Sequence, residues 1–396
     1  MGTNARPRVA FVTYEASRTG SPMLLLRLLR WLRAESGVRA EVVCWRGGPL
    51  VEPLRAVADV RVLAPADRRT LVETMAVGAG ELGLGAVGRR IDGVRLRRGL
   101  GGRAPADLVY LNGVPSFVAL PHLAADGGPV LGHVHELEFA LSRSLPVGEE
   151  ALLQRPDRYV AVSAAVADNL VERHGIERDR VTVHHGFVDD VRPAPLLRPE
   201  ALRHRLGIPD GVPVVGAVGD VIWRKGPDLF VALAASLDRA DGGPPPHFVW
   251  VGGTPGRGVW QETAADIAQR GLAGRVHLVG EQDHPRDWYD LFDVFVLTSR
   301  EDPFPLVALE AAQAGRPIVA FDQGGAPELL TPPGEPPVGV VVAALDVRAL
   351  GEAVGGLLGH PAAAAALGAG AAARVAERHV TSVAAPGLLA EIEALT

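Results

Sequence analysis

The chain has 396 residues, 47% of them apolar, a formal net charge of −6 at pH 7 and one cysteine. That length exceeds a single core and predicts two or three domains, the charge excludes a global footprint for nucleic acid, and one cysteine excludes a disulfide framework or a cysteine-based metal site. No run of about 18 apolar residues occurs, and MGTNARPRVAFVTYEA at the start lacks a signal-type apolar core, so a soluble, cytoplasmic protein is expected.

In chain order, short β-branched runs alternate with longer Ala/Leu-rich stretches: VAFVTY (9–14), AEVVCW (40–45), DLVYLN (107–112), VLGHVH (130–135), YVAVS (159–163) and VTVHH (181–185). The alternation predicts βαβ units and a parallel sheet, with Cys44 as a core thiol. In TYEASRTGSPMLLLRLLRWL (13–32) a strand leads into a loop with Gly20, then Ser21 as N-cap and Pro22 as first helical residue. That loop is either an ordinary turn or a ligand-facing one. Glycines of 78–103 interleave with Arg89, Arg90, Arg95, Arg97 and Arg98, reading as a solvated face or as a docking surface for an anionic acceptor or a membrane. His133 and His135 share one face of a strand, as a core pair or a metal-like one, but no Asp/His set elsewhere completes a metal site. His184 and His185 are adjacent, face opposite ways and make a poor metal pair.

DDVRPAPLLRPEALRHR (189–205), rich in proline and charge, reads as a linker entering a helix. The strand pattern then restarts: VPVVGAVG (212–219), HFVWVGG (247–253), RVHLVG (275–280), VFVLTS (294–299) and PIVAF (317–321). A second doubly wound domain follows, and in such sheets ligands bind outside the carboxyl ends of the strands. The alanine-biased stretch 360–379 reads as helix, and LLAEIEAL closes the chain with another.

Chemistry concentrates in TSREDPFPLVALEAAQAGRPIVAFDQGGAPELL (298–330). A strand ends at Ser299, a loop carries Arg300, Glu301 and Asp302, and a helix begins near Pro305, where proline gives up only an amide hydrogen without a partner. The amides of Leu306 and Val307 then form an anion seat sized for a phosphate. Glu310 lies one turn further on the same face and can accept from hydroxyls beside that phosphate, such as those of a ribose. Asp302 reaches from the loop to the other side. Upstream, WRKGPD (223–228) holds Lys225, the only lysine among 40 Lys+Arg: a remnant of coding pressure toward arginine, or an ammonium kept for its compactness. VGGTPGRG (251–258) lacks the Lys-Ser/Thr of a P-loop, and GAVGDV lacks the full dinucleotide fingerprint, which disfavours an NAD-dependent dehydrogenase.

The run EDPFPLVALEAAQAGRPIVA resembles the acid-x7-acid motif of the family 4 retaining glycosyltransferases of the GT-B fold. GDVIWRKGPDLF (219–230) resembles their glycine, strand-end, Lys-Gly segment, with HVHE (133–136) and VTVHHG (181–186) as weaker anchors in the first half. The resemblance implies two Rossmann-like domains facing a cleft: an acceptor-side domain over 1–195, a donor-binding domain over 196–378, and a C-terminal helix over 379–396 packing back toward the first. It implies catalytic roles for Lys225 and Arg224 on a diphosphate, for Asp302 on donor-sugar hydroxyls, and for His135, with Glu136 beside it, next to the donor sugar in the interdomain cleft. Glu310 takes the ribose; Glu301, Phe304, Pro305, Leu306, Val307, Gly219, Gly280 and Gly20 complete the donor-binding set. No metal or cofactor is expected beyond the nucleotide-diphosphate sugar as substrate. Two departures stand out. The family arginine after the glycine is Asp220, leaving Arg224 to supply the second cation, and Pro305 replaces a glycine and removes one amide donor. Glu301 competes with Asp302 as the first acid. A nucleotide-sugar epimerase and a non-catalytic nucleotide-sugar-binding subunit are alternatives on the same scaffold.

Overall fold

The computed structural model describes residues 6–64, 104–123, 127–237 and 243–396; the arginines at 89–98 lie outside the described residues. The chain divides into two units, one of residues 1–162, 166–185 and 384–396, the other of residues 163–165 and 186–383.

The first unit is built on a seven-stranded sheet of β1 (Arg8–Glu15), β2 (Arg39–Arg46), β3 (Asp59–Ala64), β4 (Leu108–Asn112), β5 (Val130–Val134), β6 (Arg158–Ala161) and β7 (Val181–Val183), in the order β3-β2-β1-β4-β5-β6-β7. Every pair is parallel. Strands covered on both faces read as unbroken apolar runs rather than alternating ones, which is why VAFV of β1 and LVYL of β4 are buried throughout. Phe11 and Tyr110 pack ring to ring at 4.9 Å in this core. Cys44 is buried there too, and burial pushes its thiol up to about 12.

The second unit carries six parallel strands, β8 (Val214–Val218), β9 (His247–Val251), β10 (Val276–Gly280), β11 (Val294–Leu297), β12 (Ile318–Phe321) and β13 (Val340–Val342), in the order β10-β9-β8-β11-β12-β13. Phe230 fills its core between Phe248 and Trp250, edge-on to each at 5.4 and 5.3 Å. Both sheets reverse order once, between β1 and β4 and between β8 and β11, as doubly wound sheets do. The strands that the sequence reading did not mark, β3 and β13, are sheet edges and only partly buried.

Residues 186–195, read from sequence as the end of the first domain, group with the second unit. Val188 bridges Val380, Arg286 Nη2 donates to Asp189 Oδ2 at 2.7 Å, and Arg192 forks onto both carboxylate oxygens of Asp290 at 2.9 Å. The chain end returns to the first unit, as expected: Ala384–Thr396 groups there, and Glu391 lies 3.3 Å from His184 Nε2 and 3.7 Å from Arg158 Nη1. Among the described residues no helix is long and apolar enough to cross a membrane.

Two packing details have measurable consequences. The helix Leu306–Gln313 is backed by the helix Pro361–Arg378, and a Cβ at Gly368 would lie 2.1 Å from Gly315 O in the turn ending the first of these. Gly356, in the helix Val347–Gly359, has no neighbour within 4 Å of such a Cβ. Gly368→Ala is expected to destabilise the protein by about 1–3 kcal/mol through overpacking, and Gly356→Ala to stabilise it by about 1 kcal/mol through helix propensity, both read from urea unfolding. On β9 and β10, His247 Nδ1 and His277 Nε2 lie 3.0 Å apart with the rings nearly parallel. Burial, then the neighbouring His247, holds His277 at about 4, and burial with Arg275 and Arg203 lowers His247. Because the folded state disfavours the charged imidazoles, their contribution is complete above the ordinary value of 6.5 and is lost as pH falls toward 4. Replacing His277 by Asn is expected to flatten the stability profile across that window.

Candidate active site

At the switch point of the second sheet, the segment leaving β8 meets the segment leaving β11. Trp223–Lys225 forms one turn of 3₁₀ helix, Gly226 follows at φ 67°, and Pro227 opens the helix Pro227–Ser236. Gly226 is required twice over. Its backbone is left-handed, and a Cβ there would lie 2.0 Å from Thr298 O at the end of β11. That close approach is fastened on both sides: Thr298 Oγ1 donates to Lys225 O (3.1 Å) and Arg300 N donates to Arg224 O (2.7 Å). The Arg300 guanidinium forks onto Asp228 at 2.8 and 2.6 Å and lies over the Trp223 ring at 4.9 Å.

The result is a direct ion pair between the two strand ends. Lys225 Nζ donates to Asp302 Oδ2 at 2.5 Å, and Ser299 Oγ donates to the same oxygen at 3.2 Å. Side-chain exposure is 13% for Lys225 and 8% for Asp302. Burial draws the Lys225 ammonium below its ordinary range; Asp302 opposes that shift and Arg224 adds to it. The resemblance gave Lys225 the diphosphate and Asp302 the donor-sugar hydroxyls; here the two groups hold each other. Arg224 and Glu301 belong to the same cluster, with Arg224 Nη1 donating to Glu301 O at 3.3 Å. Asp220 is exposed, and its Oδ1 accepts from Val221 N.

The helix Leu306–Gln313 begins next to this pair, with Pro305 as its N-cap and no side chain capping it. Phe304 is buried, packed against His379 at 5.4 Å, and with Leu306 it lines Gly186; its ring is part of the packing that aims the helix. Glu310 is gripped by residues the sequence reading did not mark: Tyr289 Oη donates to Oε2 at 3.1 Å and Arg286 Nη2 lies 3.7 Å from Oε1. Both come from the turn Pro285–Leu291, which shows no motif. Gly219 follows β8 and Gly280 ends β10; Gly219 O accepts from Trp250 Nε1 at 3.0 Å and Gly280 O from Gly252 N at 2.8 Å.

His135 and Gly20 lie in the first unit, around the switch point between β1 and β4. Gly20 is exposed and opens the helix Gly20–Glu35, so the N-cap is Thr19 rather than Ser21. Ser21 Oγ instead accepts from Asn112 Nδ2 at 2.9 Å, a partner contributed by β4 that local spacing does not reveal. Asn112 Oδ1 meets His135 Nε2 at 3.1 Å, the His133 ring packs against the His135 ring at 4.1 Å with a 40° tilt, and Tyr110 Oη meets His133 Nδ1 at 2.5 Å. Glu136 Oε2 accepts from the amides of His135 and Val114 at 2.9 and 3.1 Å. Burial takes His135 to about 3, so its ring is neutral near pH 7. Among the described residues no group of three or more His, Cys, Asp or Glu could hold a metal ion.

The Glycosyltransferase Family 4 model matches residues 18–192, and the Glycosyl transferases group 1 model matches residues 212–360. The D-inositol 3-phosphate glycosyltransferase 1 of Catenulispora acidiphila is 31% identical over 362 residues, 85% of this chain and 82% of that one. The D-inositol 3-phosphate glycosyltransferase of Nocardia farcinica is 34% identical over 220 residues, 54% of this chain, and the match spans about half (48%) of that relative's length. Among solved structures, Anabaena HepE in complex with UDP and glucose superposes with a TM-score of 0.76 at 18% identity, covering 98% of this chain and 100% of that one. Sucrose-phosphate synthase from Thermosynechococcus elongatus gives 0.75 at 20% identity, covering 99% and 100%. With two Rossmann-like units, the strand-end Lys-Gly segment and the acid-x7-acid helix in place, the chain belongs to the family 4 glycosyltransferases of the GT-B fold.

Proposed function

We propose that the chain transfers a sugar from a nucleotide-diphosphate sugar to an acceptor hydroxyl with retention of anomeric configuration. The observation that carries this reading is the buried Lys225–Asp302 pair at the carboxyl ends of β8 and β11, beside a helix start that no side chain caps. A diphosphate arriving there offers the ammonium a stronger partner, and its oxygens suit the amides of Leu306 and Val307. Asp302, released, accepts from hydroxyls of the donor sugar. Glu310, fixed by Tyr289 and Arg286, accepts from the ribose. As the bond from the anomeric carbon to the phosphate oxygen breaks, negative charge grows on the leaving diphosphate. Lys225, Arg224 and the helix amides stabilise it, and a departing phosphate oxygen takes the proton of the attacking hydroxyl. The HepE complex makes a uridine diphosphate sugar the first donor to test, and the inositol-phosphate relatives make a phosphorylated polyol the first acceptor.

A thermal-shift panel of UDP, GDP, ADP, TDP and CDP tests the donor half, because a ligand at about 100 times its dissociation constant adds roughly 2.7 kcal/mol. One diphosphate is expected to stabilise the protein and to do so less in Glu310→Gln, while Asp302→Asn keeps that binding and loses turnover. No stabilisation by any of the five sinks the reading. Lys225→Ala is expected to lower kcat on the order of 10²–10³, with Lys225→Arg recovering part of it; a wild-type rate for Lys225→Arg makes the lone lysine a coding remnant. Turnover is expected to persist in EDTA, and proton NMR of the first product formed is expected to show the donor's anomeric configuration.

A further inference from the structure

The polar ladder of the first unit fixes one hydrogen atom. Tyr110 and Asn112 alternate on β4, and each meets a histidine, His133 at 2.5 Å and His135 at 3.1 Å. The orientation of the Asn112 amide follows from its other neighbours. Thr13 Oγ1 has a single hydrogen, given to Glu15 O at 3.3 Å, so it presents a lone pair to Asn112, and only the NH2 end fits there, 3.4 Å away. The same NH2 donates to Ser21 Oγ at 2.9 Å. The carbonyl end of the amide therefore faces His135, and it can only accept. A neutral imidazole meeting an acceptor at Nε2 carries its proton there, leaving Nδ1 with a bare lone pair. Among the described residues nothing hydrogen-bonds His135 Nδ1. Asn112 is buried, and the His135 ring is packed against the buried His133 ring at 4.1 Å with a 40° tilt, so neither partner is placed to turn over.

We propose that Asn112 is a positioning residue for the transfer reaction, locking His135 in the Nε2–H tautomer so that Nδ1 accepts a hydrogen bond from a substrate hydroxyl. The inference rests on the reading of His135 as a group that touches substrate. It makes the histidine an acceptor of fixed direction rather than a proton donor, matched to a neutral hydroxyl.

Long-range proton–nitrogen NMR of protein labelled with 15N-histidine reports the tautomer directly. His135 is expected to show the Nε2–H pattern in wild type and in Asn112→Asp, which keeps an acceptor at that position, and to shift toward Nδ1–H in Asn112→Leu. With whichever of UDP-glucose, UDP-N-acetylglucosamine and GDP-mannose gives the highest rate of nucleotide release, Asn112→Leu is expected to lower kcat about 10²-fold with a smaller change in KM. Asn112→Asp is expected to recover part of the loss. An Nδ1–H pattern in wild type, or an unchanged tautomer in Asn112→Leu, overturns the role given to Asn112. A wild-type rate for His135→Ala with the expected tautomer present overturns instead the placement of His135 on substrate, so the two failures are told apart.

Discussion

The buried ion pair between Lys225 and Asp302 ties the end of β8 to the end of β11, and the rest of the second unit's functional surface is arranged around that tie. Removing one member of such a pair leaves a charge in a poorly solvated place and costs about 3–5 kcal/mol, far more than an exposed pair returns. The structure meets this constraint with redundant fastening: Gly226 lets the backbones touch, Thr298 and Arg300 bind the carbonyls on either side of Lys225, and Ser299 supplies a second donor to Asp302. The pair is thus held in one geometry by backbone and side-chain hydrogen bonds from both strand ends. In the proposed reaction, such fastening places the charges before a substrate arrives, so that only the Lys225–Asp302 contact itself has to be exchanged.

The two switch points solve related problems with different electrostatics. In the second unit the strand ends present a cation and an acid, suited to groups that carry charge or gain it. In the first unit they present uncharged partners, Asn112, Ser21 and a neutral His135, beside Glu136, whose Oε2 accepts from the amides of His135 and Val114. A neutral imidazole in a dry setting discriminates by direction rather than by charge. Burial holds its pKa at about 3 and so keeps the imidazole neutral near pH 7.

The fold was legible in the sequence wherever local pattern and tertiary role coincide. Strands of a doubly wound sheet are buried on both faces, so VAFV, LVYL and VFVL announce themselves, while the partly buried edges β3 and β13 do not. The acid-x7-acid spacing and the Lys-Gly pair were readable because each lies in one short continuous stretch of the chain. What stayed hidden depends on residues far apart in the chain. The grip of Tyr289 and Arg286 on Glu310 spans 21 and 24 positions and comes from a turn without a signature. Ser21 looked like an N-cap because its neighbours are those of a helix start, but Asn112, 91 residues away, claims its hydroxyl. The boundary near 195 moved to 185 for a similar reason: proline and charge marked the linker, and the ion pairs of Asp189 and Arg192 with distant partners decided which unit owns it.

The scarcity of lysine has a practical corollary for chemical handling of the molecule. With 39 arginines and one lysine, the sole side-chain amine is the one at the centre of the proposed donor site, only 13% exposed and clamped within a tight turn. Among these 396 residues, amine-directed reagents applied to the folded protein therefore have one side-chain address, Lys225, which opens only as the turn opens. A lysine-specific protease has a single bond to cut, Lys225–Gly226, in a segment whose carbonyls are already bound. Acylation or cleavage at that one position is a site-specific clock for local opening of the donor site, available without introducing any label.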